Sequence, residues 1–246
     1  MKFFDENGDI KIGMVTKWTT FGLIALFVLI NLLGSLHFVQ AGTVEVVKQF
    51  GGVTGKQLEP GLQVTIPFVQ STEVVATRKV VYETSTETSQ KTSNADYKDF
   101  PVDTNTSDGQ QVDIFYTIRF SVDPTKASWV VQNIGSVNSL IEKVVKTESR
   151  IWARNIPRNY TAEMLYSGKG TQSVQQEIEA KILPAFQANG LVLDSVGVRE
   201  IQFTKQYIDA VESKQIAEVQ VKTEENKAAQ EVFKKQQRIT QAEGQA

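Results

Sequence analysis

The alternation of apolar and polar positions divides the chain into three regimes. From Trp18 to Val39 the side chains are nearly all apolar, and none of the 22 carries a formal charge. At about 1.5 Å of rise per residue a helix of that length reaches roughly 33 Å, enough to cross a hydrocarbon core about 30 Å thick. The stretch predicts a single transmembrane helix over 18–39, anchored by residues such as Trp18, Leu23, Leu26, Leu29 and Leu32. A cleavable leader fits less well, because Asp5, Glu6 and Asp9 precede an apolar run longer than such leaders use. Residues 1–17 read as a short solvated tail. Of the polar residues inside the span, Asn31 is expected to face a partner helix and His37, near the far end, to sit at the interface. Lys2, Lys11 and Lys17 precede the span, whereas only Lys48 and Lys56 follow it closely, which predicts a cytoplasmic N-terminus and a C-terminal part on the opposite side.

Beyond the apolar run the pattern turns to period two. Residues 42–50 alternate β-formers with polar side chains and predict a strand ended by Gly51-Gly52. Pro60-Gly61 reads as a turn leading into a short strand that Pro67 halts. Residues 74–82 form one β-prone stretch, and the Ser- and Thr-rich segment 83–98 is expected as an exposed hairpin or loop. Another extended segment starts at Val102 and breaks at Ser107-Asp108-Gly109. The clearest strand covers 111–122, with Val112, Ile114, Tyr116, Ile118 and Phe120 on one face.

At Asp123-Pro124 the period becomes helical, a capping residue followed by proline in the first turn. Ser136 can cap the next helix, whose Val137, Leu140, Ile141, Val144, Val145, Ile151 and Trp152 predict a buried stripe ended by Pro157. Thr161 opens a further turn and Thr171 a helix carrying Val174, Ile178, Ile182 and Phe186, loosened near Pro184 and closed by Asn189-Gly190. Residues 191–203 return as a strand. The body over 40–204 is therefore α+β.

From Lys205 no turn signal appears until Gly244. About forty residues of helix would extend about 60 Å, with seven basic and seven acidic side chains and sparse apolar positions. Ile208, Val211, Val219, Val221, Val232 and Ile239 include several pairs eleven residues apart, which suits straight or slightly right-handed packing. Glu218 and Lys222, and Glu231 and Lys235, stand at i, i+4 and are expected as ion pairs within or between chains. A helix of this kind over 205–246 cannot bury its apolar positions alone and calls for copies of itself or a related chain.

Composition removes most chemistry. There is no cysteine and one histidine, so thiol nucleophiles, cysteine metal sites and Ser-His-Asp arrangements are excluded. The net charge of -2 gives no reason to expect nucleic acid. Gly55-Lys56 lacks the first glycine and the Ser/Thr of a phosphate loop, and Asp103, Asn105, Asp108 and Asp113 miss the spacing of a calcium loop. No cofactor is expected.

In order and spacing the segments resemble the SPFH (Band 7) superfamily, which includes stomatins, prohibitins, flotillins and the HflK/HflC pair. The resemblance rests on residues 42–51 directly after an anchor, Pro60 to Pro67, Thr106 to Gly109, Val122-Asp-Pro124, Ser149-Arg150, Thr161 to Tyr166, Asn189-Gly190-Leu191 and Lys214 to Glu218. It covers roughly residues 40–246. The single span is more similar to prohibitin or HflC than to stomatin. Two departures stand out: Ser167-Gly-Lys-Gly170 replaces a turn where many members carry arginine, and the sequence stops at Ala246 where relatives usually continue the helix.

The resemblance implies a non-catalytic scaffold that assembles on membrane lipid, with itself or a related SPFH chain, into a large ring or cage organising a microdomain and its client proteins. It also implies a bacterial-type inner membrane and a membrane AAA protease as a client. The alternatives are a regulatory subunit that binds and modulates such a protease, and a membrane hydrolase with a Ser-Lys or paired-carboxylate site.

Overall fold

A computed structural model describes residues 12–244. Most of the expected tail, with Lys2, Lys11 and the early acidic residues, lies outside the described residues. The first helix, α1 (Ile12–Gly34), begins before the expected boundary and ends five residues short of it. Gly34 starts the break, and the Ser35 hydroxyl turns back to donate to the Leu32 carbonyl (2.7 Å). Residues 36–39 are not helical: they form β1 (Leu36–Val39). Apolarity alone could not separate the two, since a short apolar run serves helix or strand equally.

Four further strands follow before the larger sheet: β2 (Thr43–Gln49), β3 (Gly52–Leu58), β4 (Gly61–Val64) and β5 (Gln70–Ala76). β1 pairs antiparallel with β4 as a two-stranded ribbon, and β2 is the centre of a three-stranded sheet between β3 and β5. Val39, Val47 and Leu58 form a small separate cluster beneath the ribbon.

The larger sheet contains β6 (Val80–Thr84), β7 (Tyr97–Asp99), β8 (Val102–Asn105), β9 (Gln111–Val122) and β10 (Leu191–Phe203). The single β-prone stretch expected over 74–82 is in fact two strands in different sheets, parted by Thr77-Arg78-Lys79. The segment 83–98, expected as a hairpin or loop, folds as a short helix α2 (Glu87–Thr92) that returns the chain parallel to β6 as β7. Thr86 caps that helix, accepting from the Ser89 N–H, and a cap of this sort is easily lost among neighbouring serines and threonines.

Asp123 accepts from Thr125 N–H and opens a 3-10 turn leading to α3 (Ala127–Asn133). The next helix has three parts: α4 (Val137–Leu140), a π-helical stretch over Ile141–Lys146, and α5 (Thr147–Asn155). Then come α6 (Ala162–Tyr166) and α7 (Thr171–Ala188), which carries Pro184 without breaking. The expected stripe from Val137 to Trp152 holds to Val145 and again at Trp152, which packs partly buried on the core, but fails at Ile151. A π-helical turn takes more residues than an α-turn and so shifts the phase, putting Ser149, Ala153 and Ile156 inward and leaving Ile151 43 % exposed.

Val112, Ile114, Tyr116, Ile118 and Phe120 of β9 are all buried against Leu140, Val145, Ile178, Ile182 and Phe186. Gly190 closes α7 at φ 76°, and a Cβ there would come within 2.8 Å of Val130 Cγ2, so the cap needs both the left-handed backbone and the missing side chain. β10 is an edge strand, broken by two bulges and covered at the Val198 N–H by the Gln175 side chain (3.2 Å), devices that discourage edge-to-edge pairing. The chain ends in α8 (Lys205–Glu243), 39 residues and about 58 Å long.

Candidate membrane and assembly surfaces

Among the described residues α1 is the one helix long and apolar enough to cross a membrane, over Thr16–Gly34, and none of that span is buried within the protein. The expected anchor residues Trp18, Leu23, Leu26, Leu29 and Leu32 all lie on it and are exposed. Asn31 donates one hydrogen bond back to the Phe27 carbonyl of its own helix (2.8 Å).

Where α1 ends, the apolar surface does not. Leu36 and Phe38 of β1, Leu62 and Val64 of β4, and Ile66 beyond it are exposed large hydrophobics. The turn after β4 closes onto the helix end: Thr65 N–H donates to the Ser35 carbonyl (2.9 Å), and a Cβ on Gly34 would sit 3.7 Å from Pro67 Cγ. Two further rings extend this collar. Phe50 in the β2–β3 turn and Phe68 in the β4–β5 turn are 82 % and 91 % exposed, and the Phe50 N–H donates to the Val69 carbonyl (3.3 Å). Both hold positive φ, 49° and 65°. A bulky residue rarely adopts that backbone, and each instance costs about 1–3 kcal/mol.

His37, expected at a membrane interface, points the other way. On β1 it alternates with Leu36 and Phe38, and its Nε2 lies 2.6 Å from Oε2 of Glu45, which is 6 % exposed on β2. The pair and the Val39–Val47–Leu58 cluster together fix the ribbon to the three-stranded sheet.

The second surface is α8. Its root is docked: Phe203 and Tyr207 stack at 5.0 Å between ring centroids, Tyr166 of α6 meets both edge-on, and Gln110 Nε2 donates to Thr204 Oγ1 (3.0 Å). Ile208, expected at a contact between chains, instead packs on the protein's own core, and Val211 lines a groove beside Tyr166. From Ile216 onward the apolar residues are exposed. At 100° per residue Val219 and Phe233 fall on one side of the helix, in line with Ile208, while Val221, Val232 and Ile239 fall about 130° away and Ile216 lies on neither side. The expected ion pairs are not those formed. Glu218 meets Lys214 (3.7 Å) instead of Lys222, and Glu231 meets Lys234 (2.8 Å) instead of Lys235. Pairs of either spacing on an exposed helix contribute only about 0.2–0.5 kcal/mol each, so rotamer choice decides among them.

The family model for the SPFH domain / Band 7 family matches residues 37–246, most of the chain. The chain belongs to the SPFH (Band 7) family. SPFH proteins are generally membrane-associated, oligomerising scaffolds without catalytic function. The match starts on β1 and runs through α8, so the ribbon, the two sheets and the long helix are all parts of the family's architecture. No curated protein matches the chain significantly.

In this SPFH body the polar groups that invite a catalytic reading are structural. Asp99, at the end of β7, accepts from the Tyr82 hydroxyl (2.9 Å) and lies 3.3 Å from Lys146 Nζ and 3.4 Å from Arg150 Nη1. Burial pushes its carboxyl upward, but the Phe100 N–H, the Tyr82 hydroxyl and the two cations outweigh that and hold it below the usual range. The Tyr116 hydroxyl, pushed up to about 12 by burial, lies 3.0 Å from Ser149 Oγ. Ser149 is fully buried, and the neighbouring Lys146 is paired with Asp99. The network bolts the α2–β7 excursion to the helical layer. The acidic residues around 103–113 behave likewise: Asp108 accepts from the Thr106 hydroxyl and the Ala162 N–H, joining the hairpin to α6. No group of three or more potential metal ligands occurs among the described residues. Sequence reasoning missed the collar because its members come from three separate turns and strands; the adjacency of Phe50 and Phe68, eighteen positions apart, is visible only once β2 and β5 pair.

Proposed function

We propose that this chain is a non-catalytic, membrane-anchored SPFH scaffold whose copies, or copies with a related SPFH chain, stand side by side and close into a large ring or cage. The observation that carries the reading is α8. Its two apolar stripes face different directions, and nothing within the protein covers either beyond the root. A dimeric coiled coil needs one seam, whereas a helix with a neighbour on each side needs two. A contact between unlike faces is heterologous, and such contacts generate closed rings when the rotation permits.

In this reading α1 spans the bilayer through Trp18, Leu23, Leu26, Leu29 and Leu32, and the collar of Leu36, Phe38, Leu62, Val64, Phe50 and Phe68 sits in the leaflet at the helix's C-terminal end. Exposed apolar patches of this kind mark membrane or protein contacts, and their continuity with α1 favours lipid. The wall is made by Val219, Val221, Val232, Phe233 and Ile239, with Glu218, Lys222, Glu231 and Lys235 on its charged faces. The patch of bilayer so enclosed would hold the client proteins, a membrane AAA protease among them.

The test is electron microscopy of the full chain extracted in a mild detergent. A closed particle of many copies is expected, with co-purifying density naming the client. A monomer or small oligomer, in detergent and in native lipid alike, overturns the scaffold reading and leaves a subunit dedicated to one partner.

A further inference from the structure

The collar around the exit of α1 is apolar but also uncharged, and the combination restricts the lipid it suits. Residues 35–44 and 61–72 contain no Asp, Glu, Lys or Arg. The one ionisable ring in these stretches, His37, turns inward to Glu45, and the nearest lysine on β2, Lys48, is paired with Glu73 (2.7 Å). The polar groups that remain near the surface, such as Gln63, Thr65 and Gln70, are neutral, and Gln70 Oε1 is engaged by the Ile66 N–H. Basic segments are drawn to anionic leaflets by the surface potential; this surface offers that field nothing. Its hold on a leaflet comes from the apolar area it buries, and binding of that type is sensitive to curvature and lipid composition.

Phe50 and Phe68 determine where that area goes. They occupy the tips of two turns tied together through the Phe50 N–H and the Val69 carbonyl, and both rings are almost fully exposed. Rings of that size enter a leaflet more readily where headgroups are loosely packed. We infer that the Phe50 and Phe68 turns form a lipid-packing reader, which inserts where headgroups leave gaps, as in unsaturated or strongly curved leaflets, and is indifferent to headgroup charge. This rests on the reading above that the collar faces a leaflet, and it adds which lipids the collar selects.

The absence of native cysteine gives a direct test. Full-length single-cysteine variants Phe50→Cys and Phe68→Cys, each retaining the other ring, are labelled with a polarity-sensitive fluorophore and reconstituted into vesicles containing nitroxide-bearing lipid. Leu26→Cys, within the span, reports on the anchor. The vesicles are dioleoyl phosphatidylcholine alone, with phosphatidylglycerol added, or with cholesterol added to tighten the packing. Quenching at positions 50 and 68 is expected to fall roughly threefold or more with cholesterol and to stay unchanged with phosphatidylglycerol or added salt. Equal quenching in all three, or quenching that rises with phosphatidylglycerol, overturns the packing inference while leaving the collar in the leaflet. No quenching at 50 and 68 in any vesicle, with Leu26→Cys still quenched, overturns the leaflet reading itself.

Discussion

If α8 contacts its two neighbours through two different faces, disabling one face should stop growth, and two complementary lesions should rescue a single contact. The first variant replaces Val219 and Phe233 with serine; the second replaces Val221, Val232 and Ile239. All but Ile239 are more than half exposed in the isolated chain, so none of these side chains holds the protein's own fold. Fully burying such a side chain contributes about 1.5–3 kcal/mol, and roughly a third to a half of that area is already shielded by the helix, so each residue is worth about 1 kcal/mol at a contact. Two or three together weaken every contact by about 2–4 kcal/mol, roughly 30- to 1000-fold in dissociation constant. Because a ring repeats the contact at each copy, either variant alone should run as a monomer in detergent by analytical ultracentrifugation. Mixed, each variant supplies the face the other lacks, and the product should stop at a dimer. Wild-type particle size from either variant refutes the two-face argument, and so does a mixture that remains monomeric while both variants keep their helix content by circular dichroism.

Three further outcomes follow from the fold. Gly190→Ala forces a Cβ to within 2.8 Å of Val130 while keeping a left-handed backbone, and should destabilise the body by about 2–4 kcal/mol in urea unfolding; loss below about 0.5 kcal/mol would mean the cap relaxes freely. Asp99→Asn removes the charge that Lys146 and Arg150 face and should cost about 2 kcal/mol at neutral pH. The folded carboxyl is held below its usual range, so its stabilising share is present above the ordinary carboxylate pKa and is lost as pH falls through the lower folded value; the gap between variant and wild type must close in acid. Tyr207→Ala empties the stack between Tyr166 and Phe203 at the root of α8 and should loosen that helix against the body, seen as faster amide exchange across its first turns with the body's core unaffected.

The strands and helices that bury one clean face were legible in the sequence. The period-two run of β9 placed Val112 to Phe120 inward, and Asp123-Pro124, Ser136, Thr161 and Asn189-Gly190 marked helix ends where the structure has them. The misses share a cause. The apolar run reads as helix through Leu36 to Val39 because hydropathy does not distinguish an apolar helix from a short apolar strand. The stripe was carried through Ile151 because a π-helical turn leaves no mark on composition. Ile208 was assigned to a neighbour because only the docking of α8 against Phe203 and Tyr166 shows that its root belongs to the body.

What the sequence by itself determined is therefore the inventory: an uncharged run of membrane length, an α+β body without cysteine, and a long helix too polar to stand in a core. These are local properties, set by side-chain chemistry and by spacings of two or of three to four residues. Tertiary structure decided which of those parts share a surface. It turned His37 inward to Glu45, brought Phe50 beside Phe68 at the end of α1, and packed Ile208 partly buried on the core while leaving Val219 and Val221 open. Such adjacencies depend on strand register and helix docking between distant segments, which are fixed by the packing of the whole chain.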